Sequence, residues 1–390
     1  MNRALLLFSL LTFAACESAP PRWYKGNLHT HTLWSDGNHF PEMVVDWYAQ
    51  RDYDFLALTE HNIVADHERW MQNDQVVRRG GRTALADYRA RFGTDWVEER
   101  QRDGKLEVRL KRLDEIMPLF DQLLLIPAEE ITTSFEKKPI HINASNVAAK
   151  IPPSTGTSVQ DVMRKTLQAV AAHAAEHDRP VLAHLNHPNF GWGVTADDLA
   201  QVQEEHFFEV YNGHPSVHHR GDATRPGTER IWDIANTTRR RDLDAPLLYG
   251  LGTDDCHKYH NAAGSTPGRG WVMVRARACT TEALLAAIEA GEFYASSGVV
   301  LDDVTFDGRT MTIDIAAQGN ASYVTEFVGT RRDGEVGEVL ARVEGLRPTY
   351  TARGDELFVR ATVTSTLPAD NPVWEGQPRQ AWVQPVTLAP

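Results

Sequence analysis

The sequence predicts a parallel α/β architecture, followed by a small antiparallel β domain. Three observations carry this. From Gly26 onward, short apolar runs alternate with helix-like stretches, the pattern of strand–helix repeats. After Ser297-Gly298 the pattern changes to Val-, Thr- and Phe-rich segments with period-two stretches, the mark of antiparallel strands. Nearly every apolar run of the first part also ends in His, Asp or Glu.

The strand candidates of the first part are 26–30, 54–59, 122–127, 139–144, 180–184, 206–211 and 247–252. Between them lie helical stretches near 41–51, 106–120, 158–177, 226–240 and 280–290. Strands in such a series suit a closed barrel better than a small open sheet. Residues 65–105 interrupt the alternation. They are rich in Arg, Asp and Glu, with Trp70, Trp96 and Gly80-Gly81, and are read as a partly helical excursion serving as a lid, or else as a solvated insertion. In the last part, strands are expected at 299–306, 310–316, 322–329, 356–364 and 380–387. That part contains no His, so packing or substrate shaping is its expected role.

The chain has 390 residues and 42% hydrophobic content, enough for one large domain and a smaller one. A formal net charge of -13 argues against non-specific nucleic-acid binding. At the N-terminus, Arg3 precedes an apolar run from Ala4 to Phe13, too short for the ~20 residues that span a bilayer. Phe13-Ala14-Ala15-Cys16 resembles a bacterial lipobox, although Phe13 stands where Leu is usual. Residues 1–16 are therefore read as a lipoprotein-type signal segment and 17–25 as a tether. This implies an extracytoplasmic protein, in the periplasm or at the cell surface, that meets the membrane only through a lipid. The two later cysteines, Cys256 and Cys279, do not make a disulfide framework.

The chemistry sits at the ends of the apolar runs. Asn27-Leu28-His29-Thr30-His31 places two imidazoles on one side of an extended chain, able to grip one metal, and Ser35-Asp36-Gly37 follows. Phe55 to Leu58 lead into Thr59-Glu60-His61-Asn62. Leu124-Leu125-Ile126-Pro127-Ala128 lead into Glu129-Glu130, a carboxylate pair too costly to bury unless neutralised. Then come Ile140-His141-Ile142-Asn143, Ala183-His184-Leu185-Asn186-His187-Pro188-Asn189, Phe208-Glu209-Val210-Tyr211-Asn212, and Thr253-Asp254-Asp255-Cys256-His257. Any one His has a structural explanation; repetition at successive strand ends favours a metal centre on one face. His173 and His177 lie on an alanine-rich helix and are read as structural. His214, His218 and His219 are read as solvated loop residues, with substrate contact as the alternative.

These motifs, in this order, resemble the PHP family (polymerase and histidinol phosphatase), over roughly residues 26–298. Within it the chain is most similar to the extracytoplasmic branch with carbaryl-hydrolase-like members. The resemblance implies a distorted seven-stranded (β/α) barrel, followed here by the β domain of 299–390, and two or three divalent ions of Zn, Mn or Fe. It implies that His29, His31 and Asp255 hold a first ion, and that Glu130 bridges to a second held by His141 and His187. Asp36, His61 and His257 would hold a third. Glu129 could replace Glu130, and His184 could replace His187. Arg220, Lys258 and His260 are candidate substrate contacts. The implied reaction is hydrolysis of a small ester by a metal-bound hydroxide in a centre of charge about +2. A phosphomonoester or phosphodiester is the leading substrate class and a carbamate or carboxylic ester the second. A non-catalytic metal- or ligand-binding lipoprotein is the alternative of another class. The sequence sets no oligomeric state.

Overall fold

A computed structural model describes residues 20–259 and 263–388. The expected signal segment and His260 lie outside the described residues. Among those described, no helix is long and apolar enough to cross a membrane.

The first part contains β1 (Arg22–Asn27), α1 (Pro41–Ala49) and β2 (Phe55–His61). An inserted unit follows: β3 (Arg69–Gln72), α2 (Asn73–Gly80), α3 (Ala84–Phe92), β4 (Glu99–Arg102) and β5 (Lys105–Leu110). After the short α4 (Leu113–Ile116) come β6 (Leu124–Phe135), β7 (Lys138–Ser145), α5 (Val159–Glu176), β8 (Leu182–Leu185) and α6 (Ala196–Gln201). The series continues with β9 (Phe207–Asn212), α7 (Thr228–Arg241), β10 (Tyr249–Thr253), β11 (Trp271–Ala276), α8 (Thr281–Glu289) and β12 (Phe293–Ser296). The last part is all strand: β13 (Leu301–Phe306), β14 (Thr310–Ile315), β15 (Tyr323–Arg331), β16 (Glu338–Glu344), β17 (Thr349–Thr351), β18 (Glu356–Pro368) and β19 (Pro378–Val386).

The seven strands expected of the first part are neighbours in space, in the order β10-β9-β8-β7-β6-β2-β1. Their apolar runs suit burial on both faces: every residue of β9 is buried, as are the first six of β2. Gly26 in β1 is required by packing, because a Cβ there would lie 2.1 Å from the Phe55 ring. Helix starts follow their caps. Ser158 accepts the Asp161 N–H ahead of α5, and Thr195 and Asp198 form a reciprocal capping box at α6.

Several expectations need correction. The strands are not all parallel: β7 runs antiparallel to both β6 and β8. Phe135 and Lys138 close a tight hairpin whose central residues, Glu136 and Lys137, both have positive φ, as a type I′ turn requires. The expected tether 17–25 ends in strand, because Arg22 to Gly26 pair antiparallel with β11. β11 and β12 were not anticipated. The expected helix at 106–120 is replaced by β5 and the short α4. Leu106, Val108 and Leu110 all pack into one core, so the apolar side chains recur with period two and the segment pairs with β3. The insertion is also a folded unit, with a three-stranded sheet β3-β5-β4, and its Val76, Tyr88 and Val108 share a core with Trp34, Phe40 and Tyr48.

The last part is antiparallel, as expected, but its main sheet is continuous with the first. β19 pairs with β12, giving one sheet of 13 strands, while β13, β14 and β17 form a separate sheet of three. A buried ion pair reinforces the junction: the Arg360 guanidinium of β18 meets both Asp233 oxygens on α7 at 2.7 and 2.9 Å.

Candidate metal centre

Chain direction brings the histidines and carboxylates to one end of the sheet. His29 and His31 follow β1, His187 follows β8, and Asp255 and His257 follow β10. His61 is the last residue of β2. Glu130 and His141 are not at strand ends; they face each other across the β6–β7 hairpin near its middle. Because β7 runs antiparallel to β6 and β8, its N-terminal half lies towards the end that the parallel strands of the sheet reach with their C-termini. The loops after β1 and β10 are tied together: His31 N–H donates to Cys256 O at 3.0 Å, and Asp255 N–H to His29 O at 2.9 Å. Asp255 takes a left-handed backbone, φ +46°, at this crossing.

All nine residues form one cluster, in overlapping sets. The His29 Nε2 atom lies 3.3 Å from Asp255 Oδ1 and 3.5 Å from Glu130 Oε1. The His31 Nε2 atom lies 3.2 Å from Asp255 Oδ1 and 3.4 Å from Glu130 Oε2. His187 Nε2 is 3.5 Å from Glu130 Oε1, and His141 Nδ1 is 2.9 Å from the same oxygen. Asp36 lies 3.2 Å from His257 Nε2 and 3.5 Å from His61 Nε2. His31 faces both ways, since its Nδ1 is 3.7 Å from Asp36.

Most of these separations are too long for good hydrogen bonds. They match two donors on a shared ion: at roughly 2.0–2.1 Å from a tetrahedral centre, ligand atoms are about 3.3–3.4 Å apart. The Nε2 atoms of His29 and His31 are buried without a hydrogen-bond partner, a state that calls for an explanation such as an ion. Donor type and spacing therefore fit divalent cations. Side-chain exposure rises from 0% at His29 and His31 to 27% at His61 and 55% at Asp36, so the centre opens to solvent on the Asp36 side.

Burial opposes charge throughout, and the charged neighbours decide the outcome. Burial pushes Glu130 and Asp255 up, but the surrounding imidazoles hold both well below the usual carboxylate range. His61, also opposed by burial, is pushed up to about 11 by Glu130 and Asp36. His31 is pushed down to about 3 by burial and by His257.

The two open alternatives differ in place. Glu129 faces away from the cluster: its Oε1 accepts the Ile151 N–H at 2.5 Å, and burial pushes its carboxyl up to about 7. His184 lies behind His29, with its Nε2 3.6 Å from Glu209. Of the candidate substrate contacts, Arg220 is not brought to the cluster; its guanidinium lies 5.9 Å above the Trp374 ring. Lys258 is half-buried, held through its backbone N–H to Ser265 O.

Sequence reasoning noted Glu209 without giving it a role. It is fully buried and accepts four hydrogen bonds, from His29 Nδ1 (2.6 Å), Thr253 Oγ1 (2.7 Å), Asn212 Nδ2 (2.7 Å) and the His187 N–H (2.8 Å). It fixes the His29 tautomer and leaves Nε2 facing the cluster. An acidic residue inside an apolar strand was the available signal. Glu209→Gln is expected to weaken metal binding by about 10–100-fold, the range typical of such outer carboxylates. Metal titration calorimetry checks this; unchanged affinity in a folded variant would remove the assigned role.

Other acidic groups shape the loops. Glu60 accepts the Thr32 and Ser35 N–H groups, each at 3.0 Å, and so turns towards the loop bearing Asp36. Arg79, from the insertion, donates to the carbonyls of Thr32, Leu33 and Gly37 in that same loop. Asp254 accepts the N–H groups of Gly268, Arg269 and Gly270. From the last part of the chain, Asn371 donates to Thr266 and Pro267, and Gln377 to the Tyr211 hydroxyl. Both neighbouring units thus brace the loops that carry the cluster.

The site is a buried, solvent-connected cluster of His, Asp and Glu able to hold divalent metal ions. No protein-family model matches the chain, and no curated protein matches it. Among solved structures, the chain is similar to a two-domain protein from Bacteroides vulgatus containing a predicted PHP-like metal-dependent phosphoesterase. Identity is 15%, coverage is 93% of this chain and 95% of that one, and the TM-score is 0.41. It is also similar to a candidate metal-dependent phosphoesterase from Bifidobacterium adolescentis, with 15% identity, 64% and 92% coverage and a TM-score of 0.33.

Proposed function

We propose that the chain is a PHP-type, multi-metal hydrolase of phosphoric esters. The observation that carries this is the convergence of nine side chains at ligand spacing around buried, unpartnered imidazole nitrogens. In this reading β1, β2 and β6 to β10 are the distorted barrel, and the Thr30–Cys256 bridge draws its first and last members together. His29, His31 and Asp255 would hold one ion, Glu130, His141 and His187 a second, and Asp36, His61 and His257 a third. Bound divalent ions would supply Lewis acidity and ease the ionisation of water. The protein's share is orientation and charge. Glu209 and Asn212 fix His29 and Asp255 from behind. Three ligand carboxylates leave a net positive centre, suited to an anionic ester and to the charge that develops on it. The exposed Asp36 side admits the substrate. An extracytoplasmic, lipid-anchored location belongs to the same proposal and rests on residues 3–16 of the sequence.

The test is a panel of activated phosphomonoester, phosphodiester, carbamate and carboxylic ester substrates with metal-loaded protein. Phosphoester cleavage is expected to dominate, to vanish with a chelator and to return with added divalent metal. Preference for the carbamate or carboxylic ester would move the substrate class. Full metal content with no turnover of any of them would favour a binding protein.

A further inference from the structure

The loop after β9 carries a residue whose geometry exceeds that of a solvated side chain. His214 is half-buried. Its backbone N–H donates to Asn212 Oδ1 at 2.7 Å, and Asn212 in turn donates to Glu209 and Asp255. Its ring stands edge-on to Phe190 (5.6 Å between centroids, 88°) and to His257 (5.7 Å, 77°). Backbone and ring are thus both held against residues that build the metal centre. The Ser216 N–H donates to His214 Nδ1 at 3.1 Å. Nδ1 is therefore an acceptor, and a neutral ring carries its proton on Nε2. Among the described residues, Nε2 has no hydrogen-bond partner.

We infer that His214 is a further substrate-contacting residue, which donates its Nε2–H to a non-bridging phosphoryl oxygen of an ester bound at the metal centre. The inference rests on the phosphoester reading above. A neutral donor suits the role, because it stabilises charge developing on that oxygen without adding repulsion to the cations already there. Phe190, whose ring lies 5.0 Å from that of His187, gives the same wall an apolar face beside the donor.

Two variants test this. His214→Phe keeps a planar ring and removes the donor; His214→Gln keeps an N–H donor near the Nε2 position. With metal content verified by elemental analysis, His214→Phe is expected to lower kcat/KM for a phosphodiester by about 10²–10³-fold, as loss of one preorganised donor does. It should also weaken binding of inorganic phosphate to the metal-loaded protein, measured by calorimetry, and His214→Gln should recover much of both losses. Unchanged kcat/KM and phosphate affinity in His214→Phe would overturn the inference, as would metal loss in both variants, which would make His214 a ligand. The phosphate measurement separates this inference from the one beneath it. Binding that depends on His214 without turnover of any ester would sink the hydrolase reading alone. Ester turnover indifferent to His214 would sink only the present inference.

Discussion

Glu130→Gln is expected to strip metal from the centre and to lower phosphoester hydrolysis by more than about 100-fold, since loss of a mere outer-shell partner already costs 10–100-fold. The reason is position. Glu130 is fully buried and lies within 3.5 Å of the imidazoles of His29, His31, His61, His141 and His187. In the proposed reading its charge would answer more than one ion, and an amide cannot replace it. The Asn186 side-chain N–H that now donates to it at 2.8 Å would keep a neutral acceptor, so the fold should survive. Glu129→Gln is the control one residue away. Its carboxyl points to the opposite side of β6 and accepts the Ile151 N–H at 2.5 Å, so activity and metal content should change little. Elemental analysis and phosphodiesterase assays of the two variants decide the matter. The reverse ranking would transfer the bridging role to Glu129, and small equal effects would end the multi-metal mechanism.

The largest expected effect on stability lies at the junction of the two parts. Arg360→Met is expected to destabilise the protein by roughly 3–5 kcal/mol, the cost of leaving one member of a buried pair uncompensated. Arg360 and Asp233 side chains are 2% and 6% exposed, so water screens neither. Glu229 adds a third charge at 3.3 Å, and the guanidinium also packs 5.0 Å from the Trp232 ring. Methionine keeps much of the bulk and none of the charge. Denaturant unfolding of apo protein measures the loss, and the Arg360→Met, Asp233→Leu double variant should recover most of it, because a buried pair exchanged for apolar groups is often neutral. A single variant within 1 kcal/mol of the parent, or a double variant no better than the single, would refute this account. Metal content per folded molecule should stay constant, since the junction lies away from the cluster.

The sequence by itself determined the local elements and the chemical character of the site. Periodicity located α5, α7 and α8 within a residue or two, because burial pattern and caps are local properties, and it marked the seven strands that stand side by side but not their bounds: β1 starts at Arg22 and β6 runs on to Phe135. Runs such as Phe55 to His61 displayed the change from apolar strand to ligand-type residues, and the nine side chains taken from those runs meet in one cluster. Only the tertiary structure decided how those elements are used. The direction of β7 depends on hydrogen bonds to β6 and β8, which no composition encodes, and that direction carries His141 to the site. β11 and β12 became strands through pairing with β1 and β19, partners far away in sequence. The resemblance favoured Glu130 over its neighbour, but residue type alone did not separate the two; the register of β6 turns Glu130 inward and Glu129 outward, since successive strand side chains face opposite ways. Glu209 and His214 acquired their places in the same way. Their residue types allowed many roles; the completed fold added the Glu209 hydrogen bond to His29 and the packing of the His214 ring against Phe190 and His257, contacts that form only where distant segments are brought together.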